Sequence, residues 1–229
     1  MEVLECIKSR RAVRKYLVKE VPWELIANIL DAGRHAPSSG NLQNWKFIVA
    51  LDKDKREAVA KACLNQLWIA LAPVHIIIIS EPEKGERSYG DRGKTLYNIQ
   101  NCAAAAENML LEAHNLGLGS CWVGAFNPVE IRRIFGMPEE VEPQIVLTFG
   151  FPNENPAHPS KLPLEAVTYF GGWRAKIKDL AAYAGFYSVH VQKAVGKGKE
   201  AAKEASITFK EKAKLWKDKI YRKLTEKRK

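Results

Sequence analysis

The sequence predicts an α/β or α+β layered domain followed by a basic helical extension. Three observations point there. Short apolar runs rich in β-branched and aromatic residues, "WKFIVAL", "VHIIIIS" and "PQIVLTFGFP", alternate with segments of helical apolar spacing. At 229 residues and 46% apolar content, the chain can bury a substantial core and is too apolar for global disorder. Charge is divided along the chain: residues 1–170 carry 19 Lys and Arg against 20 Asp and Glu, whereas residues 171–229 carry 17 against 6. This separates a near-neutral domain, 1–170, from a basic extension, 171–229.

The elements follow in order. Val3, Leu4 and Ile7 share one side of a first helix over 3–9. "RRAVRKY" and "LVKEV" lead to a second helix, where Pro22 suits the first turn and Trp23, Ile26, Ala27 and Leu30 form the apolar stripe. It ends near Gly33 or at Pro37, which cannot continue it. "WKFIVAL" is a strand, and "DKREAVAKACLNQLW" a third helix. "VHIIIIS" is a strand buried on both faces, because its β-branched run is too uniform for a surface strand. "EPEKGERSYGDRGKTLY" reads as a short polar loop. A long helix follows over about 96–116, and its run Ala103 to Ala106 permits close approach of another backbone, at the core's centre or across a subunit interface. Gly117 and Gly119 end it. "SCWVGAF" is a short strand and turn. "NPVE" is a helix start, with Asn127 as N-cap, Pro128 first and Glu130 at the capping-box position, and Gly136 stops that helix after Phe135. "PQIVLTFGFP" is the last strand. Two apolar stripes with lysine-rich opposite faces, one from Trp173 to Val191 and one from Ala202 to Leu224, predict two helices in the extension.

Several function classes are disfavoured. There is no Gly-x-Gly-x-x-Gly and no P-loop, so neither classical nucleotide site is supported. Cys6, Cys63, Cys102 and Cys121 lack metal-ligand spacing and are expected as thiols in core positions. His35, His75, His114, His158 and His190 are scattered, so no metal site and no Ser-His-Asp arrangement is expected. His75 reads as a hydrogen-bonded core histidine and His35 as a helix-end residue. The longest apolar stretch contains Pro73 and is too short for a membrane span. The opening segment carries Glu2 and Glu5 rather than an export signal, so a cytoplasmic location is expected. The body lacks the charge footprint of a nucleic-acid binder.

Two stretches carry unusual polar capacity. "RHAPSSGNLQNWKF" is either an ordinary turn or a seat for a polar ligand at a helix end. Arg10 and Arg14, four apart, share a face if their segment is a helical turn; such a pair suits a phosphate, the other reading being a solvated charge run.

Four segments, "SRRAVRKY", "APSSGNLQNWKF", "GLGSCWVGAF" and "SKLPLEAV", together resemble the FMN-dependent nitroreductase family in order and spacing, over about residues 3–170. That family also contains NADH oxidases, flavin reductases, enone reductases and halotyrosine dehalogenases. The resemblance implies an α+β fold, with a mixed, mainly antiparallel sheet and flanking helices, and a homodimer holding FMN at its interface. It assigns Arg10 and Arg14 to the phosphate and Arg11 to the ribityl chain or pyrimidine edge. Lys161 matches a phosphate-contacting position where the family often has arginine, whose planar fork lysine lacks. Pro37, Ser38 and Ser39 would meet the ring from the opposite subunit, with Asn41 bonding the flavin or bracing the loop and Gly40 allowing the turn. Gln43 would tie the loop to the body and Trp45 would enter the core. Asn44 stands where the family commonly has proline, which implies a less rigid loop. Gly124 and Ala125 would aim backbone N–H groups at N5 and O4, Gly124 standing where many members have glutamate. Trp122 either supports a ring face or fills the core. Asn65 and Gln66, late in the third helix, are either flavin contacts or surface amides.

The activity so implied takes electrons from NADH or NADPH and passes them, in ping-pong order, to a nitroaromatic, quinone, flavin or dioxygen. Tyr89 and Tyr97 would rim the acceptor site. The Glu-Tyr-Lys lid pattern of dehalogenases is absent. The extension is expected to clasp the dimer or lid the flavin rather than meet nucleic acid or a membrane. Two alternatives stay open: a non-catalytic flavin-binding regulator or scaffold, and a flavoprotein whose basic tail binds nucleic acid.

Overall fold

Four antiparallel strands form one sheet in the order β1-β2-β4-β3, with β1 Trp45–Ala50, β2 Val74–Ser80, β3 Gly119–Val123 and β4 Glu142–Gly150. The computed structural model describes residues 1–175. The helices are α1 Val3–Ser9, α2 Trp23–Arg34, α3 Lys53–Ala62, α4 Pro82–Arg92, α5 Asn98–Asn115, α6 Pro128–Phe135 and α7 Leu164–Val167. The chain divides into two compact units, Met1–Pro159 and Ser160–Lys229. Apart from Trp173, which is exposed, the two stripes expected in the extension lie outside the described residues.

Layering follows from the two-residue period of the strands. Ile76 and Ile78 join Ile145, Leu147 and Phe149 on one face, which α2 and α5 cover through Ile26, Ile29, Ala105 and Met109. Ile77, Ile79 and Val146 face the other way, towards Val59 of α3 and Ile131 of α6. β2 is therefore buried along its whole length, as its uniform sequence requires. All four cysteines are buried and free, and burial pushes the Cys63 and Cys102 thiols up to about 12.

Several local expectations are corrected. Gly33, near which α2 ends as expected, is itself inside the helix; a Cβ there would collide with Met109, so glycine lets α2 settle on α5. The helix ends one residue later, and His35 takes the helix-end role through Nδ1, 2.8 Å from the Asp31 carbonyl. In α1 only Cys6 is buried, because its thiol faces the Leu111 carbonyl on α5; the Val3, Leu4 and Ile7 stripe stays exposed. Of the alanine run, Ala105 and Ala106 are core residues, while Ala103 and Ala104 lie at its rim.

The expected polar loop over 81–97 is instead helix α4 and a π-turn, Gly93–Tyr97. Pro82 starts it, and Gly90 at φ +58° kinks it. Gly85 and Gly93 touch where a side chain on either would collide with the other's backbone, so the helix folds back on the following turn. α6 starts as expected: the Asn127 side chain accepts from the N–H groups of Val129 (3.0 Å) and Glu130 (3.3 Å). The reciprocal half of the capping box is absent, because Asn127 N–H donates to Ala62 O (2.8 Å) and Glu130 pairs with Arg133.

Candidate functional site

Arg10 ends α1 with φ −55° and ψ 135°, and the chain then runs extended beside β3. Ala12 bridges to Ser120, Val13 N–H donates to Ser120 O (2.9 Å), and Leu17 N–H donates to Phe151 O (2.9 Å). The helical turn expected around Arg10 and Arg14 is thus not formed, because the backbone pairs with β3 instead. Both arginines nevertheless stay within electrostatic reach of one side chain of β3, Cys121. Burial raises the Cys121 thiol on β3, and the charges of Arg14 and Arg10 both pull it back down. The Arg14 guanidinium lies 5.7 Å over the Trp68 ring. The guanidinium groups of Arg10 and Arg14 form no ion pair among the described residues. Arg11 turns away: its Nη1 donates to Lys8 O (2.7 Å) and Arg10 O (2.6 Å), capping α1. His114, on α5, is held below its ordinary pKa by burial and then by Arg10 and Arg11.

The loop at residues 38–43 is a tight construction. Gly40, Asn41 and Gln43 all have positive φ, at 53°, 57° and 47°. Ser38 Oγ accepts from Gln43 N–H (3.0 Å), and Gln43 Nε2 donates to Asn41 Oδ1 (3.1 Å). Gln43 therefore braces the loop internally rather than tying it to the body. That tie is made by three buried asparagines. Ser39 donates to Asn101 Oδ1 through its N–H (3.0 Å) and its hydroxyl (3.2 Å). Asn101 Nδ2 donates to Asn44 Oδ1 (2.7 Å), and Asn44 Nδ2 donates to Asn98. Asn44 is 0% exposed, so it replaces a proline's rigidity with a buried hydrogen-bond chain, contrary to the expected looser loop. Tyr89 closes its hydroxyl against Gly40, where any side chain would collide, and stands edge-on to Tyr97 at 5.3 Å. Pro37 and Asn41 are exposed, Ser38 and Ser39 half-buried.

Trp122 is 40% exposed on β3, which excludes the core-filling reading. Its indole nitrogen lies beside Gly124, which is exposed with Ala125 in the turn that follows. Asn65 and Gln66 are not in α3. The helix stops at Ala62, and Leu64 and Asn65 adopt left-handed φ of 57° and 56° before a 3-10 turn, Leu67–Leu71. Gln66 Nε2 donates to Cys63 O (3.0 Å), whereas Asn65 is exposed. The Asn127–Ala62 hydrogen bond draws this turn to the one at Gly124. The segment that carries Arg10 and Arg14 thus pairs with β3 at Ser120, with Trp68 beside Arg14, and Gly124 follows the strand's far end. From Ser120 to Gly124 is about 13 Å of extended chain. Lys161 is exposed just before α7 in the second unit.

The Ser38–Asn41 loop is not brought to this cluster. It is fastened to Asn101, whereas Arg10 and Arg11 stand by His114, about 20 Å further along α5. Asn98, Asn101 and Glu154, which accepts from the backbone of the arginine segment, were not foreseen. A polar pair three residues apart on an apolar helix face was the available signal for Asn98 and Asn101; Glu154 offered none. Among the described residues no group of three or more His, Cys, Asp or Glu is placed to hold a metal, and no helix is long and apolar enough to cross a membrane.

Comparison with known proteins gives a consistent picture. A family model described as the nitroreductase family matches residues 7–81 and 68–151. A Methanothermobacter thermautotrophicus protein, provisionally named NADH dehydrogenase/NAD(P)H nitroreductase, is 40% identical over 161 residues, covering 68% of this chain and 80% of its own. The FMN reductase [NAD(P)H] of Bacillus subtilis is 28% identical, covering 73% of each chain. The solved FMN-dependent nitroreductase of Clostridium difficile R20291 superposes with a TM-score of 0.65 at 28% identity, over 74% of this chain and 99% of that one.

Proposed function

Because the chain belongs to the nitroreductase family, we propose that it is an FMN-dependent NAD(P)H oxidoreductase working as a homodimer. One observation carries the reading: the segment bearing Arg10 and Arg14, whose guanidinium groups form no ion pair among the described residues, pairs with Ser120 of β3, and an exposed turn follows the strand's other end. This donor set fits FMN. Guanidinium groups satisfy a phosphate dianion, and the turn offers backbone N–H groups for the ring edge. FMN held by these residues would supply the redox chemistry, carrying electrons from NADH or NADPH to a nitroaromatic, quinone, flavin or dioxygen in ping-pong order.

The chain's own residues hold and shield. Arg10 and Arg14 take the phosphate. Gly124 and Ala125 present N–H groups where negative charge gathers on the reduced ring, as an oxyanion hole does. Gly124 adds no carboxylate, so it leaves the ring edge uncharged. Trp122 offers an exposed apolar surface against water. The Ser38–Asn41 loop serves the site of a second copy, which is why it is fastened at the other end of α5. Val3 (73% exposed), Leu4, Ile7 and Ile99 supply apolar surface for that pairing. No side chain is assigned an acid–base role.

The test is anaerobic reduction. The purified protein is expected to be yellow and to bleach rapidly with NADH or NADPH. A yellow protein that stays oxidised with both would support non-catalytic flavin binding, and a protein that takes up no flavin would refute the reading.

A further inference from the structure

We propose that Glu154 is a positioning residue for the cofactor: its carboxylate holds the backbone of Arg14 and Lys15 so that the arginines stay gathered for the phosphate. The inference rests on the reading that Arg10 and Arg14 bind that phosphate. Glu154 Oε1 accepts from two successive backbone N–H groups, Arg14 at 2.5 Å and Lys15 at 3.1 Å. Around it the two segments are paired: Asn153 N–H donates to Lys15 O (2.9 Å), Tyr16 bridges Pro152, and Leu17 N–H donates to Phe151 O (2.9 Å). Glu154 fastens this pairing at its open end, next to the arginines.

Charge alone would not place a carboxylate there. Glu154 stands within electrostatic reach of the same thiol that Arg10 and Arg14 act on: burial first raises Cys121, the two arginines lower it, and Glu154 raises it again. A negative group so close to a dianion's seat repels the ligand. Its geometric role works the other way, because a carboxylate bonded to backbone N–H groups is a strong acceptor that fixes a short segment without secondary structure of its own. The two roles therefore have opposite signs in an affinity measurement. Glu154→Gln removes the charge and keeps an acceptor oxygen. Glu154→Asp keeps the charge and withdraws the oxygens by one methylene. Glu154→Ala removes both.

The experiment strips the protein of flavin and titrates it with FMN or riboflavin, following flavin fluorescence, with Arg14→Ala as control. Glu154→Ala and Glu154→Asp are expected to weaken FMN by about tenfold or more, with riboflavin unchanged. Glu154→Gln is expected to bind FMN at least as tightly as the unmodified protein. If the alanine variant does not fold, the aspartate variant carries the same prediction. FMN binding unchanged or tighter in the aspartate variant, or weakened equally for both flavins, overturns the proposal. So does a glutamine variant as weak as aspartate. If Arg14→Ala loses FMN selectively while Glu154→Asp does not, only the role of Glu154 falls. If Arg14→Ala weakens FMN and riboflavin alike, the phosphate reading falls and takes the role of Glu154 with it.

Discussion

His75 sits in the middle of the sheet at 0% exposure, with Nε2–H donating to Ile69 O at 2.8 Å. Burial lowers its pKa from 6.5 to about 4, outweighing the Ile69 hydrogen bond, which raises it; Arg56 lowers it further. The folded protein thus keeps the ring neutral while the unfolded chain takes up a proton below pH 6.5. The stability this lends is complete above pH 6.5 and is lost as pH falls towards 4, about 3 kcal/mol in all. Urea unfolding at pH 7 and pH 4.5 should show that decline, and His75→Gln should remove most of it. The role of His75 was legible, because a histidine inside an isoleucine run has few other options. Asn44 was not. Its replacement of a proline looked like lost rigidity, since its partner Asn101 lies on a distant helix and only the fold brings them together.

At the level of elements, β2, β4 and α6 were legible because each carries its own local signal: a β-branched run, or a cap, a proline and a closing glycine. α3 was read too long because apolar spacing continues through Leu67 and Trp68 after the backbone has turned left-handed at Leu64 and Asn65. α4 was read as a loop because Gly85 and Gly90 usually punctuate; here Gly85 serves a close approach and Gly90 a kink. Gly33 also serves a close approach, from the last turn of α2. Its packing against Met109 gives a test: Gly33→Ala should destabilise the protein by about 1–3 kcal/mol in urea unfolding, despite alanine's better helix propensity. An increase in stability would mean that α2 and α5 are not so closely packed.

At the scale of the whole molecule, the helix–strand alternation left α/β and α+β both open. Strand direction decides it: helices separate successive strands, yet every strand pair among the described residues is antiparallel. At the candidate site, the residue types could be read from the sequence but their placement could not. Nothing in the sequence says that the Ser39 loop and Arg10 are fastened towards opposite ends of one helix. That separation is the basis for proposing a flavin site shared between two copies, and the proposal can be tested by mixing variants. Arg14→Ala spoils the phosphate half. Gly40→Val spoils the loop half, because Gly40 has φ +53° and lies against Tyr89. Each variant alone should bind FMN poorly. When the two are unfolded together and refolded as a mixture, a mixed dimer carries one site with both halves intact and one with both spoiled, so tight FMN binding should return to about half occupancy in that dimer. A mixture that binds FMN no better than either variant alone would contradict the shared site.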